Sequence, residues 1–174
     1  MIDKKTFKLS ILIPCFNEKL TIISIIDEVR KSLKKNNFLN YEIVVIDDFS
    51  SDGTTQILKN IESDKDISIF YHTQNQGKGS AIQTALKNIT GDVVIVQDAD
   101  LEYNPIDYQL LLKVIRLKKC YVVYGSRVLN KKRYQLNNFT SASRIFFNHM
   151  LTILSNLLNN QKLTDAHTCF KMFE

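Results

Sequence analysis

Short runs rich in Val and Ile alternate along the chain with longer stretches in which apolar residues recur every three or four positions. The runs predict strands at Leu9–Ile13, Glu42–Ile46, Ile67–Tyr71, Val93–Gln97 and Tyr121–Tyr124. Between them the longer period predicts helices. The first, Leu20–Lys35, places Leu20, Ile23, Ile26, Val29 and Leu33 on one side, and others follow at Thr54–Glu62, Gly79–Asn88 and Pro105–Leu117. A polar, basic loop around Asn130–Asn137 leads to a longer helix, Thr140–Asn159. Strand and helix in alternation is the pattern of βαβ units, so the expected fold is α/β with a mostly parallel central sheet flanked by helices. There is no internal repeat and no low-complexity tail.

The polar punctuation falls in one place. Reading beyond the carboxyl end of each predicted strand gives PCFNE (Pro14–Glu18), DDFSSDG (Asp47–Gly53), NQGKG (Asn75–Gly79), DADLE (Asp98–Glu102) and GSR (Gly125–Arg127). In an open α/β sheet ligands bind beyond the carboxyl ends of the strands, so the clusters predict one site at one edge.

Composition narrows this only slightly. With 174 residues, 44% hydrophobic and 24% charged, the chain is sized for a single domain with a core that needs neither disulfide nor metal to fold. The excess of 23 Lys and Arg over 18 Asp and Glu, a net +5, favours anionic partners such as phosphates or a lipid surface and does not single out nucleic acid. Cys15, Cys120 and Cys169 are widely spaced with no CxxC, which argues for packing thiols and a reducing compartment. No export signal is read, and no apolar run reaches bilayer length, Ile145–Leu158 being broken by His149 and two Asn. Any membrane contact is expected to be peripheral, and the expected location is cytoplasmic.

Asp98, Asp100 and Glu102 stand at alternate positions, which on an extended segment puts them on one face. Two such charges about 4 Å apart near a protein surface would repel by on the order of 4 kcal/mol. A divalent cation reverses the sign, because Mg²⁺ or Mn²⁺ takes one or two carboxylates while phosphates and water complete its octahedron. The competing reading is that Asp98 and Asp100 cap the helix near Pro105 and sit in water. Asp47 and Asp48 close a strand where an acid can accept hydrogen bonds from a base or ribose, whereas Asp52 reads as a helix cap. In NQGKG, Gly77 and Lys78 can offer backbone N–H groups and an ammonium to an anion, or merely form a turn. Arg127 is a candidate phosphate fork or a surface ion pair. His72, His149 and His167 read as ordinary packing or surface residues. Asp165, His167 and Cys169 form a ladder that an alternating strand explains as well as a metal site, and no zinc is assigned.

In combination PCFNE, DDFSSDGT, NQGKGSA, DADLE, GSR and LTDAHTCFKMF (Leu163–Phe173) resemble glycosyltransferase family 2, in the branch of dolichol- and polyprenyl-phosphate mannosyl- and glucosyltransferases. The resemblance covers about residues 9–173. It implies a GT-A (Rossmann-like) fold, a nucleotide-diphosphate sugar donor such as UDP-glucose or GDP-mannose, Mg²⁺ or Mn²⁺, inversion at the anomeric carbon and a lipid-phosphate acceptor. By position it places Pro14, Asn17, Glu18, Asp47 and Asp48 around base and ribose, with Asp48 the acid that meets the base. Gly77 and Lys78 join the donor site, and Asp98, Ala99 and Asp100 match the metal and diphosphate stretch. Glu102, where relatives of this branch often carry Gln, is the third metal ligand. Arg127 and Arg144 match basic positions for donor or acceptor phosphate, and Asp165 matches the acid of the TD motif near the acceptor.

That resemblance also implies a chemistry. Arg127, with the metal, would stabilise charge growing on the departing nucleoside diphosphate. A lipid phosphate, with a second pKa near 6 by analogy with phosphorylated side chains, is already ionised at neutral pH and needs little general base; a sugar hydroxyl would make Asp165 the base. The helix Thr140–Asn159 is expected either to pack in a core or to present an interfacial face. Relatives continue past the CFK stretch, so C-terminal elements are expected to be missing, and a catalytically incomplete nucleotide-sugar-binding domain is the rival reading. A phosphoacceptor receiver would need a lone phosphorylatable Asp rather than DxD, and a nucleotidyltransferase an extended N-terminal glycine loop.

Overall fold

The computed structural model describes residues 7–117, 120–128 and 139–174, the side chains of 139–145 excepted. Six strands make one sheet in the order β3-β2-β1-β4-β6-β5. They are β1 (Leu9–Cys15), β2 (Tyr41–Asp47), β3 (Ile67–Tyr71), β4 (Val93–Val96), β5 (Val122–Tyr124) and β6 (Lys171–Phe173). The helices are α1 (Ile22–Lys35), α2 (Thr54–Lys59), α3 (Lys78–Leu86), α4 (Tyr108–Arg116) and α5 (Phe139–Asn159). β1 pairs in parallel with β2 and with β4, and β2 with β3. The chain divides into two compact units, Met1–Val123 with Met172–Glu174, and Tyr124–Lys171.

A parallel sheet is covered on both faces, which is why its central strands read as continuous apolar runs: all seven residues of β1 are buried. Leu12, Val44, Ile46 and Val94 form a core with Ala81 and Ala85 of α3, whose small side chains let the helix approach the sheet closely. α1 buries Ile22, Ile25, Ile26, Val29 and Leu33. Its Ser32 hydroxyl donates to the Pro105 carbonyl at 2.8 Å, tying α1 to the 3-10 turn Pro105–Asp107 ahead of α4.

Several boundaries differ from the pattern reading. α1 starts at Ile22, not Leu20, because the Glu18 carbonyl already accepts from the N–H groups of Thr21 and Ile22 in a turn before the helix. The buried stripe shifts with it: Leu20 is 91% exposed and Ile23 is exposed, while Ile22 and Ile25 are buried. α2 stops at Lys59, short of Glu62, and the stretch from Pro105 splits into the 3-10 turn and α4. β6 had no predicted counterpart. It lies antiparallel to β4, pairing Val94 with Phe173 and Ile95 with Met172, and three residues are too few to show a period.

At the amino ends of β1, β2 and β4, one carboxylate closes the sheet. Glu42 accepts from Lys8 Nζ (2.7 Å), Ser10 Oγ (2.6 Å) and the N–H groups of Thr90 (2.6 Å) and Gly91 (3.1 Å). Burial pushes its carboxyl pKa up, and the bonds from Lys8, Ser10 and Thr90 override that, bringing it to about 2 from 4.5. A carboxyl depressed on folding contributes stability above its unfolded value and loses it as pH falls toward the folded one. Denaturant unfolding across pH should therefore show up to about 3 kcal/mol lost between pH 4.5 and 2. Glu42→Gln should be less stable at neutral pH and flatter across that window; a variant that follows the parent curve would remove Glu42 as the cause.

Candidate active site

The carboxyl ends of β1, β2 and β4 open on a cavity of about 190 Å³, lined by Pro14, Cys15, Phe16, Glu18, Asp48, Lys78, Ala81, Asp98, Ala99 and Asp100. Three loops reach it, from β1, β2 and β4, and each holds one residue other than glycine in the left-handed region: Asn17 (φ 57°), Phe49 (φ 68°) and Leu101 (φ 65°). Each such residue costs on the order of 1 kcal/mol, and strain of this kind collects at functional sites.

The loop after β4 is shaped by Gln97, which is fully buried. Its amide donates to the carbonyls of Asp98 and Tyr103, both at 3.1 Å, and its carbonyl oxygen accepts from Tyr108 Oη at 2.8 Å. Asp98 and Asp100 therefore reach the cavity from a turn, not from the extended segment that alternate spacing predicts. Asp98 is buried and ion-paired with the Lys78 ammonium. Asp100 is exposed, and its Oδ1 accepts from the N–H of Glu102 at 3.0 Å. Glu102 does not line the cavity, and among the described residues no three His, Cys, Asp or Glu gather at metal-binding separation. The remaining donor set, two hard carboxylates with room for phosphate oxygens, suits Mg²⁺ or Mn²⁺ and no soft metal.

The tandem acids beyond EIVVI separate by role. Asp47, at the end of β2, accepts from Ser50 N–H (3.1 Å) and Thr55 Oγ1 (2.5 Å), so it shapes the turn and does not line the cavity. Asp52 accepts from Thr54 N–H (2.9 Å) and Lys19 N–H (3.0 Å) at the start of α2, a structural part. The Asn17 side-chain oxygen accepts from Ser51 N–H at 2.8 Å, joining the loops after β1 and β2. Asp48 does line the cavity, and it takes one N–H that NQGKG was expected to offer an anion, that of Gly77 at 2.7 Å, together with the Gln76 N–H at 2.9 Å. Gly77, at φ 83°, lets the chain turn both of them onto it. Burial raises the Asp48 carboxyl pKa, and the bonds from Gln76, His72 and Gly77 more than offset this, holding it below the usual range. Cys15 is buried beside these acids, and burial together with the nearby carboxylates pushes its thiol well up, in keeping with a packing role.

His72, read from sequence as a packing residue, bonds Asp48 through Nδ1 at 2.7 Å and Thr84 through Nε2 at 2.9 Å. The signal was its position, one residue past β3 just as Asp48 is one residue past β2.

Within Tyr124–Lys171, Asp165 receives Arg127 Nε at 2.8 Å and Nη2 at 3.1 Å, with the Arg127 N–H at 3.3 Å and the His167 N–H at 3.2 Å. Burial raises the Asp165 pKa, and the Arg127 bonds bring it below the usual carboxylate range. The Asp165, His167, Cys169 ladder is not a strand: a turn at Ala166–His167 interrupts it, and β6 begins only at Lys171. The side chain of Arg144 lies outside the described residues. Along α5, Phe146, Met150, Ile153 and Leu154 are exposed, with Leu157 78% and Leu158 73% exposed, so that side is not packed in a core. No helix among the described residues is long and apolar enough to cross a membrane.

A mostly parallel sheet with acids at the carboxyl ends of its strands is the framework of a GT-A domain, and comparison with known proteins assigns that fold. Glycosyl transferase family 2 matches residues 10–174, and the chain belongs to that family. It is 31% identical to a dolichyl-phosphate beta-glucosyltransferase, ALG5A, of Trichomonas vaginalis, over 98% of this chain and 54% of the relative. The chain thus spans about half the length of that relative. Among solved structures, glucosyl-3-phosphoglycerate synthase from Mycobacterium tuberculosis, at 19% identity and a TM-score of 0.70, shares the fold over 98% of this chain and 57% of its own. A mannosyltransferase from Pyrobaculum calidifontis, solved with GDP-Man and Mn²⁺, is 25% identical with a TM-score of 0.55, covering 68% of this chain and 34% of its own.

Proposed function

We propose that this chain transfers a hexose, with inversion, from a nucleotide-diphosphate sugar to a polyprenyl or dolichyl phosphate. The observation that carries the reading is the cavity where Asp48, Lys78, Asp98 and Asp100 converge beyond β1, β2 and β4. The donor class is supported by the GDP-Man bound to the mannosyltransferase, and the acceptor class by the dolichyl-phosphate transferase. In this reading Pro14 and Glu18 surround base and ribose, Asn17 holds the loop between them through Ser51, and Asp48 accepts an N–H from the base. Asp98 and Asp100 would hold Mg²⁺ or Mn²⁺, which when bound supplies positive charge against the diphosphate. Lys78, already beside Asp98, adds a second cation there.

On the acceptor side Arg127 keeps Asp165 ionised, which suits a group that orients a phosphate better than one that must take up a proton. Arg144 is assigned to the same phosphate. The exposed side of α5 and the net charge of +5 support peripheral contact with the membrane that carries the acceptor, which we place on its cytoplasmic face.

Thermal shift with UDP- and GDP-hexoses, with and without Mn²⁺, tests donor binding; silence with every donor ends the reading. Asp165→Asn should lower turnover on polyprenyl phosphate less than about tenfold, because an ionised acceptor needs no base. Near-total loss with donor binding intact would transfer the assignment to a saccharide hydroxyl acceptor.

A further inference from the structure

The Asp48 carboxylate is held by His72, Gln76 and Gly77. The pairing of β2 with β3 sets Asp47 opposite Tyr71, so the next residues, Asp48 and His72, adjoin where the strands end. Both side chains are nearly buried, at 4% and 7% exposure. A carboxylate only accepts, so the His72 proton that meets it sits on Nδ1, while Nε2 is anchored to Thr84 on α3. Each carboxylate oxygen offers about two acceptor positions. On Oδ1 both are taken, by His72 Nδ1–H and Gln76 N–H; on Oδ2 one is taken, by Gly77 N–H. Counted among the described residues, the oxygens of this cavity-lining acid are thus left with one acceptor position.

We infer that His72 acts as a positioning residue which, with the Gln76–Gly77 turn, limits Asp48 to one incoming hydrogen bond and so selects a donor whose base presents a lone N–H, uracil or thymine, over guanine. Guanine offers N1–H and an N2 amine side by side and satisfies them on both oxygens of a carboxylate. Here it would have to displace His72 or Gln76 from Oδ1, leaving a buried donor unpaired. Cytosine and adenine set an amine beside a ring nitrogen lone pair, which a carboxylate repels. The inference rests on the proposed donor site and adds the identity of its base. A site whose polar groups are unmatched by the wrong ligand discriminates strongly, so the preference should reach at least about tenfold.

Titration calorimetry with UDP, dTDP and GDP in the presence of Mn²⁺ tests this on the parent chain, His72→Leu and His72→Asn, with thermal unfolding of each variant alongside. The tighter of UDP and dTDP should bind the parent at least about tenfold more strongly than GDP. His72→Leu frees a position on Oδ1 and should pull that ratio toward one. His72→Asn, whose amide nitrogen takes the place of Nδ1, should restore it, which a merely structural role for His72 would not do. Should His72→Leu fail to fold, His72→Gln, with an amide that reaches Thr84 and not Asp48, serves in its place. GDP binding the parent as tightly as the pyrimidine nucleotides, or a ratio that His72→Leu leaves unchanged, overturns the inference while the donor site stands. No binding of any nucleotide to the parent removes the donor site itself.

Discussion

Asp98→Asn is expected to lower kcat/KM for the sugar donor by about a hundredfold to a thousandfold while the chain keeps its fold. Both halves follow from how the loop after β4 is built. Its shape is held by the buried Gln97 amide, which bonds the carbonyls of Asp98 and Tyr103 and receives Tyr108 Oη, and by the turn that Asp100 closes with the Glu102 N–H. None of these bonds uses the Asp98 carboxylate, whose partner is the Lys78 ammonium across the cavity. Asn is nearly isosteric, so the loop survives and the negative charge alone is lost. With that charge gone the ion pair between Lys78 and this position is lost, and on the proposed function a cation for the diphosphate would have one carboxylate in place of two. Steady-state kinetics and thermal unfolding on the same preparation separate the two effects. Activity near the parent level, or a large fall in melting temperature, would contradict this account of the loop. Asp47→Asn provides the contrast, because that acid shapes its turn through Ser50 and Thr55 outside the cavity; its first effect should be on stability.

Gly91→Ala, in the turn before β4, is expected to be strongly destabilising. A Cβ at Gly91 would lie 2.3 Å from Ser10 Oγ and 2.9 Å from both the Lys8 carbonyl oxygen and the Ser10 nitrogen. Two of those three atoms are backbone of the segment that opens β1, so no side-chain rotation relieves the contact. Moving the chain apart would also loosen the bonds from Gly91 N–H to Ser10 Oγ and Glu42, and with them the network that closes the amino ends of three strands. Overpacking typically costs about 1–3 kcal/mol, and the loosened bonds put this case at about 3 kcal/mol or more. For a chain of this size that is a fall of roughly 6–12 °C in melting temperature, readable by circular dichroism. A fall below about 2 °C would mean the turn before β4 yields more readily than the geometry allows.

Much of the framework was legible in residue order because it depends on local period. β-branched runs four to seven residues long have one comfortable place, a covered parallel strand, and β1 to β4 fall where those runs stand. The acids and glycines beyond each run marked the sheet edge that bears the cavity, because a strand that ends in a ligand crevice must end in polar residues. Where the period was weak the reading slipped. The buried stripe of α1 holds at Ile26, Val29 and Leu33 and differs only in the first turn, where Ile22 and Ile25 replace Leu20 and Ile23 once the turn at Glu18 sets the helix start, and β6 was too short to announce itself.

Side-chain roles within the clusters were another matter. Residue order, through the resemblance, set Asp48 apart for the base and Asp98, Asp100 and Glu102 for a metal, but kept Asp47 and Glu102 in the site, which the cavity lining leaves out. Only the fold shows Asp48, Asp98 and Asp100 lining one cavity while Asp47 holds a turn. Residue order likewise left His72 among ordinary packing residues, since its partners Asp48 and Thr84 lie 24 and 12 residues away. Period and composition report what each residue does to its own stretch of backbone. Which carboxylate keeps an acceptor position for a ligand depends on how many donors other strands and helices bring to it, and that number exists only once the chain is folded.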